Sequence, residues 1–205
     1  MTSFLYPFLD EPQVTDPSDL LADLARSADM KRTESHDLAR STVEANATEL
    51  HEAAALLRAA GQILVAGNGG SACDAERLAR LLRGSPLRVR SLVADSATLT
   101  ALANDIGVEH IFSRQVQAYG KPGDVLVVVS TSGNSANLLT ACDAATRHGL
   151  RTVALAGYRG GQMADHPSID ICLRVDSASV HRTQEAQAVL IDRLVTLLTG
   201  EGKPT

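Results

Sequence analysis

The stretch Asp124-Val-Leu-Val-Val-Val-Ser130-Thr-Ser-Gly133-Asn-Ser135-Ala-Asn137 decides the fold. Five consecutive apolar residues, four of them valine, predict a strand buried on both faces, as in a parallel sheet. The run ends in Ser130, Thr131, Ser132 and Ser135 around Gly133, and the residues from Ala136 to Thr146 have helical composition. A strand, a polar turn and a helix N-terminus together present backbone N–H groups and hydroxyls. That is a setting for an anion, and above all for a phosphate. A helix cap would need one of those hydroxyls, not four.

Working outward, Gln62-Ile-Leu-Val-Ala66 predicts a second core strand. Gly67-Asn68-Gly69-Gly70-Ser71 turns the chain into a helix from Ala72 to Leu82, so a second strand–turn–helix loop could let its backbone approach a ligand. It fits the dinucleotide fingerprint only loosely, because Ala72 stands where the last glycine is usual, and it lacks the Gly-Lys-Thr of a P-loop. Further on, a short strand is expected near Leu87–Val93, and Asp95-Ser-Ala-Thr98 opens a helix to Ala103 that Asn104-Asp105 interrupts. A helix near His110–Gly120 leads into the central strand. Arg151–Ala156 reads as a strand ending in the glycine-rich Gly157-Tyr-Arg-Gly-Gly161, and Ser168–Val175 as an edge strand. Ser179 opens the last helix, to about Thr199. Ahead of the first strand, helices are expected over Asp19–Met30 and Ser35–Ala60, behind an arm carrying Phe4, Tyr6 and Phe8 among prolines. Strands alternating with helices predict an α/β fold, a doubly wound, Rossmann-like parallel sheet flanked by helices. Residues 1–34 are expected to form an N-terminal arm and short helix, and residues 35–205 one domain.

Composition narrows the function. A chain of 205 residues can bury one sizeable core, and 44% hydrophobic with 21% charged residues is ordinary for a globular domain. The formal charge of −5 argues against direct nucleic-acid binding. Cys73, Cys142 and Cys172 have no metal-type spacing and read as reduced thiols. No apolar run suits a membrane span, and no basic region precedes an apolar N-terminal one, so a cytoplasmic protein is expected.

These blocks carry a resemblance. Gly67-Asn-Gly-Gly-Ser71 with Cys73-Asp74-Ala75, Asn104-Asp105, Ser130-Thr-Ser-Gly-Asn-Ser135, Gly157 with Gly160-Gly161, and Arg182-Thr-Gln-Glu185 occur in the order and spacing of the sugar isomerase (SIS) domain. Over about residues 35–199 the chain resembles the phosphoheptose isomerases and their relative that binds the bacterial replication initiator. The resemblance implies the SIS fold, a phosphorylated sugar as ligand, a homotetramer and, by analogy with that relative, a protein partner. It implies that Ser130, Thr131, Ser132 and Ser135 cradle the phosphate. Asn68, Gly69, Gly70, Ser71, Asn104 and Asp105 would belong to the same binding site, and Gln184 would contact substrate.

The catalytic positions depart from that pattern. Where the resemblance implies a metal-ligand His and, four residues later, a Glu base, this chain has Arg77 and Leu81, and the distal catalytic His is Asp192. Gln184 alone is too little for zinc, so no metal and no cofactor are expected. His181 and Glu185, at i and i+4, are the replacement acid–base candidates; Asp74 reads as a cap or ion-pair partner within its helix. Two functions follow. One is a phosphosugar-binding, regulatory SIS module. The other is an active isomerase, converting sedoheptulose 7-phosphate to D-glycero-D-manno-heptose 7-phosphate or acting on a similar sugar, with a rearranged acid–base set.

Overall fold

The computed structural model describes residues 17–200. The aromatic arm with Phe4, Tyr6 and Phe8 lies outside the described residues. Five parallel strands form one sheet in the order β2-β1-β3-β4-β5, where β1 is Ile63–Gly67, β2 Val89–Ser91, β3 Val125–Ser130, β4 Arg151–Ala156 and β5 Ile171–Arg174. The central strand β3 is buried along its whole length, as its valine run requires. Alternate strand residues serve two layers. Ile63, Val65, Val127 and Val129 pack with α2 (Ala47–Ala59), α3 (Gly70–Leu81) and α7 (Val180–Thr199). Leu64, Ala66, Leu126 and Val128 pack with α5 (Ser113–Tyr119) and α6 (Ala136–Arg147), with α4 (Ser96–Ile106) at the margin.

The winding reverses between β1 and β3. From β1 the chain moves out to β2, and from β3 it moves the other way, to β4 and β5. Ligands of such sheets bind at that reversal, outside the strand ends. Gly67 pairs with Val129 there, so the glycine turn after β1 and the serine turn after β3 lie side by side.

Two local expectations are corrected. The helices expected over 19–30 and 35–60 are instead α1, continuous from Pro17 to Ala45, and α2, so the division at 34/35 falls inside α1. The polar run at 29–34 that read as a gap continues as an exposed helix, with Arg32 paired to Asp29 at 3.1 Å, because Lys, Arg and Glu are good helix formers. The break comes at Asn46, whose buried carboxamide donates to Thr42 and Arg174 carbonyls and accepts from Arg174 N–H at 2.7 Å. It pairs with the edge strand as a neighbouring strand would. Asn104 and Asp105, expected to interrupt a helix, lie inside the last turn of α4.

Candidate functional site

Ser130 ends β3, and its Oγ accepts from Gly133 N–H at 3.0 Å and lies 3.3 Å from Ser135 Oγ. Ser132 Oγ accepts from Asn134 N–H at 3.2 Å. Ser135 is the N-cap of α6, yet its side chain makes no cap hydrogen bond. The cluster therefore does not simply cap the helix, and first-turn N–H groups of α6 face the turn with the hydroxyls. The geometry suits an anion with several oxygens. Gly133 is needed twice over: its φ is +65°, and a Cβ there would overlap the Gly160 carbonyl. That carbonyl belongs to the 3-10 segment Tyr158–Asp165, which braces the turn through Met163 N–H to Gly133 O at 3.1 Å and Gln162 N–H to Asn134 Oδ1 at 2.8 Å.

Across the crevice, Asn68 and Asn137 exchange carboxamide bonds, Nδ2 of each donating to Oδ1 of the other at 2.8 and 3.1 Å. This pair joins the glycine turn to α6. From below, the fully buried Gln187 of α7 donates to the carbonyls of Ser130 and Leu155, at 3.0 Å each, tying α7 to the ends of β3 and β4. Asn137 and Gln187 were missed in the sequence, because an Asn after the serine block and a Gln within a helix carry no motif of their own.

The third wall is the seam between α3 and α7. Gly70, Asp74, Arg77 and Leu81 fall at i, i+4, i+7 and i+11, one stripe along α3. Gln184 lies so close over Gly70 that any Cβ there would overlap its amide. Asp74 follows; burial pushes its carboxyl above the ordinary value, against the opposing charge of Arg77 and a hydrogen bond from Gln184. Its Oδ2 is buried without a partner. Next, Arg77 Nη2 donates to both carboxylate oxygens of Asp192 on α7, at 2.8 Å each. Leu81 ends the stripe, 41% exposed.

Other expected site residues are placed differently. Ser71 is buried in the first turn of α3. Asn104 and Asp105 are exposed and bond each other at 2.8 Å, with no hydrogen bond to either loop. No hydrogen bond joins His181 to Glu185, although the charge of His181 acts on that carboxylate. Glu185 accepts from Ser35 Oγ at 2.5 Å and from Arg182 at 2.7 Å, which ties α7 to α1, while His181 is exposed. Partial burial works to raise the Glu185 pKa, but hydrogen bonds from Ser35 and Arg182 and the charges of Arg182 and His181 outweigh it and hold it below the ordinary value. Such a carboxylate is a poor proton acceptor near neutral pH. Among the described residues, no three His, Cys, Asp or Glu side chains converge as a metal site requires, and no helix is long and apolar enough to cross a membrane. A cavity of about 620 Å³ opens away from this crevice, beside β5 and Asn46, lined by Glu49, Glu52, Arg159 and Arg174 among others.

Five parallel strands, with a serine turn and a glycine turn side by side at the winding reversal, define an α/β protein of the doubly wound class. The SIS domain model matches residues 32–157, and the chain belongs to the SIS domain family. It is 49% identical over 137 residues to a phosphoheptose isomerase of Rhodospirillum rubrum, covering 64% of this chain and 72% of that protein. Identity to a phosphoheptose isomerase of Roseiflexus is 39% over 159 residues, covering 73% and 80%. Among solved structures, the phosphoheptose isomerase GmhA from Neisseria gonorrhoeae superposes with a TM-score of 0.82 at 35% identity, covering 86% of this chain and 99% of that one.

Proposed function

We propose that the chain is a cytoplasmic, homotetrameric SIS module that binds a phosphorylated sugar in the serine cradle without isomerising it. The observation that carries this reading is the ion pair between Arg77 and Asp192. By resemblance, those positions and Leu81 are where the isomerases hold a metal-ligand His, a catalytic His and a Glu base. Aldose–ketose isomerisation moves a proton between neighbouring carbons and needs a group that can accept it. A guanidinium does not titrate in proteins and a leucine cannot. Asp192, bound through both carboxylate oxygens to Arg77, is equally unsuited to replace an imidazole. The donor set does not fit zinc either, because a fixed cation stands where zinc would need neutral or anionic ligands.

A second reading, an active isomerase of sedoheptulose 7-phosphate, is favoured by the 49% identity to a phosphoheptose isomerase. Its proton carrier would be Asp74, the carboxyl with an unpartnered oxygen in the seam, rather than His181 with Glu185. Calorimetric titration with sedoheptulose 7-phosphate, followed by analysis of the recovered sugar, separates the two. Saturable binding with the ketose recovered unchanged supports the module; recovered aldoheptose phosphate supports the isomerase; no binding removes both.

A further inference from the structure

Resting on the phosphosugar reading, we infer that the Arg77 guanidinium is the built-in cation of the crevice and binds the oxygens at the end of the ligand remote from its phosphate. The ion pair with Asp192 is poorly explained as a stability device. Its side chains are 38% and 50% exposed, and exposed pairs add little to stability. What it does do is hold the guanidinium in one orientation. A single nitrogen, Nη2, meets both carboxylate oxygens, so Nε–H and the Nη1 donors have no hydrogen-bond partner among the described residues.

Those donors are placed to meet a sugar. Arg77 lies seven residues from Gly70 along α3, about 10 Å of helix. Its guanidinium meets Asp192, eight residues beyond the Gln184 that covers Gly70, so the ion pair stands at the far end of the seam that opens at the turn beside the cradle. A phosphate held at Ser130–Ser135 would not span that distance, whereas the carbon chain of a sugar phosphate extending along the stripe would. Carbonyl, hydroxyl or carboxylate oxygens at its far end match the fork of a guanidinium, which keeps its charge at every physiological pH. The cation that a metal would supply is then part of the chain, and binding needs no metal.

The test is calorimetry of sedoheptulose 7-phosphate and, separately, inorganic phosphate, on the full chain with and without EDTA. The unaltered protein is expected to bind both ligands, with the chelator making no difference. Arg77→Met is expected to weaken the sugar phosphate about tenfold, one charge-assisted hydrogen bond or slightly more, and to leave inorganic phosphate unchanged. Asp192→Asn, which keeps the guanidinium but loosens its fixed orientation, is expected to bind the sugar phosphate more weakly than the unaltered chain and more tightly than Arg77→Met. Equal effects of Arg77→Met on the two ligands, loss of binding in EDTA, or Asp192→Asn binding the sugar phosphate no better than Arg77→Met would overturn the inference. If the unaltered protein bound neither ligand, the phosphosugar reading itself would fail, and the role of Arg77 with it.

Discussion

Asn68 and Asn137, on opposite sides of the winding reversal, hold each other by two carboxamide hydrogen bonds of 2.8 and 3.1 Å. Each amide therefore keeps one N–H and one lone pair free, in an orientation fixed by the other. Asn137 is 8% exposed, so it acts on a ligand through Asn68. Asn137→Ala should cost about 1 kcal/mol of stability, and should lower phosphosugar affinity about fivefold by releasing Asn68. Denaturation midpoints and calorimetry on the same variant check this. Weakened stability with unchanged affinity would mean that the pair only supports the fold.

Gln187 gives a separate prediction about the floor of the cradle. Gln187→Leu keeps the volume of the side chain approximately and removes both donors, leaving the Ser130 and Leu155 carbonyls without them. The expected loss is about 1–3 kcal/mol, from two buried hydrogen bonds removed, with the Ser130 carbonyl keeping only its bond from Gly157 N–H at 3.0 Å. Phosphate binding should weaken in parallel, since Ser130 both ends β3 and carries a cradle hydroxyl. Urea denaturation with a parallel phosphate titration is the check, and a loss well below that range would show that the two carbonyls find other partners.

Much of the architecture was legible because it depends on local pattern. The valine run of β3 and the glycine and serine turns that follow β1 and β3 are all read from neighbouring residues, and β4 matches its expected bounds residue for residue. Failures came where distant contacts decide. The break at Asn46 is set by its bonds to Arg174, 128 residues away, and the composition around 29–34 pointed to a gap in the wrong place. The pairing of Arg77 with Asp192 spans 115 residues; the sequence showed that two motif positions had changed, but not that the new residues would meet. Glu185 was read with His181 by helical spacing alone; its hydrogen bonds go to Ser35 from α1 and Arg182 on α7, and His181 acts on it only through its charge.

Asp74 makes stability depend on pH in a definite direction. Its folded pKa stands above the ordinary 3.8, so the folded state binds the proton more tightly than the unfolded one. The stability this contributes is complete below about 3.8 and is lost as the pH rises through the folded value. Asp74→Asn cannot ionise. Relative to the unaltered chain, it should gain stability as the pH rises through that window, and the difference should be flat above it. Chemical denaturation of both proteins across the acid range measures this, and a difference that does not change with pH would contradict the protonation argument.

The central claim is that the cradle holds a phosphosugar while the seam of α3 and α7 cannot move its proton. The most direct measurement is a proton NMR time course of sedoheptulose 7-phosphate in D2O with purified, zinc-supplemented protein. The account predicts broadened substrate resonances, no aldoheptose signals and no loss of the carbon-bound protons to deuterium. New aldoheptose phosphate resonances, or deuterium entering the sugar next to its carbonyl, would contradict it, because some group in the crevice would then be acting as a base.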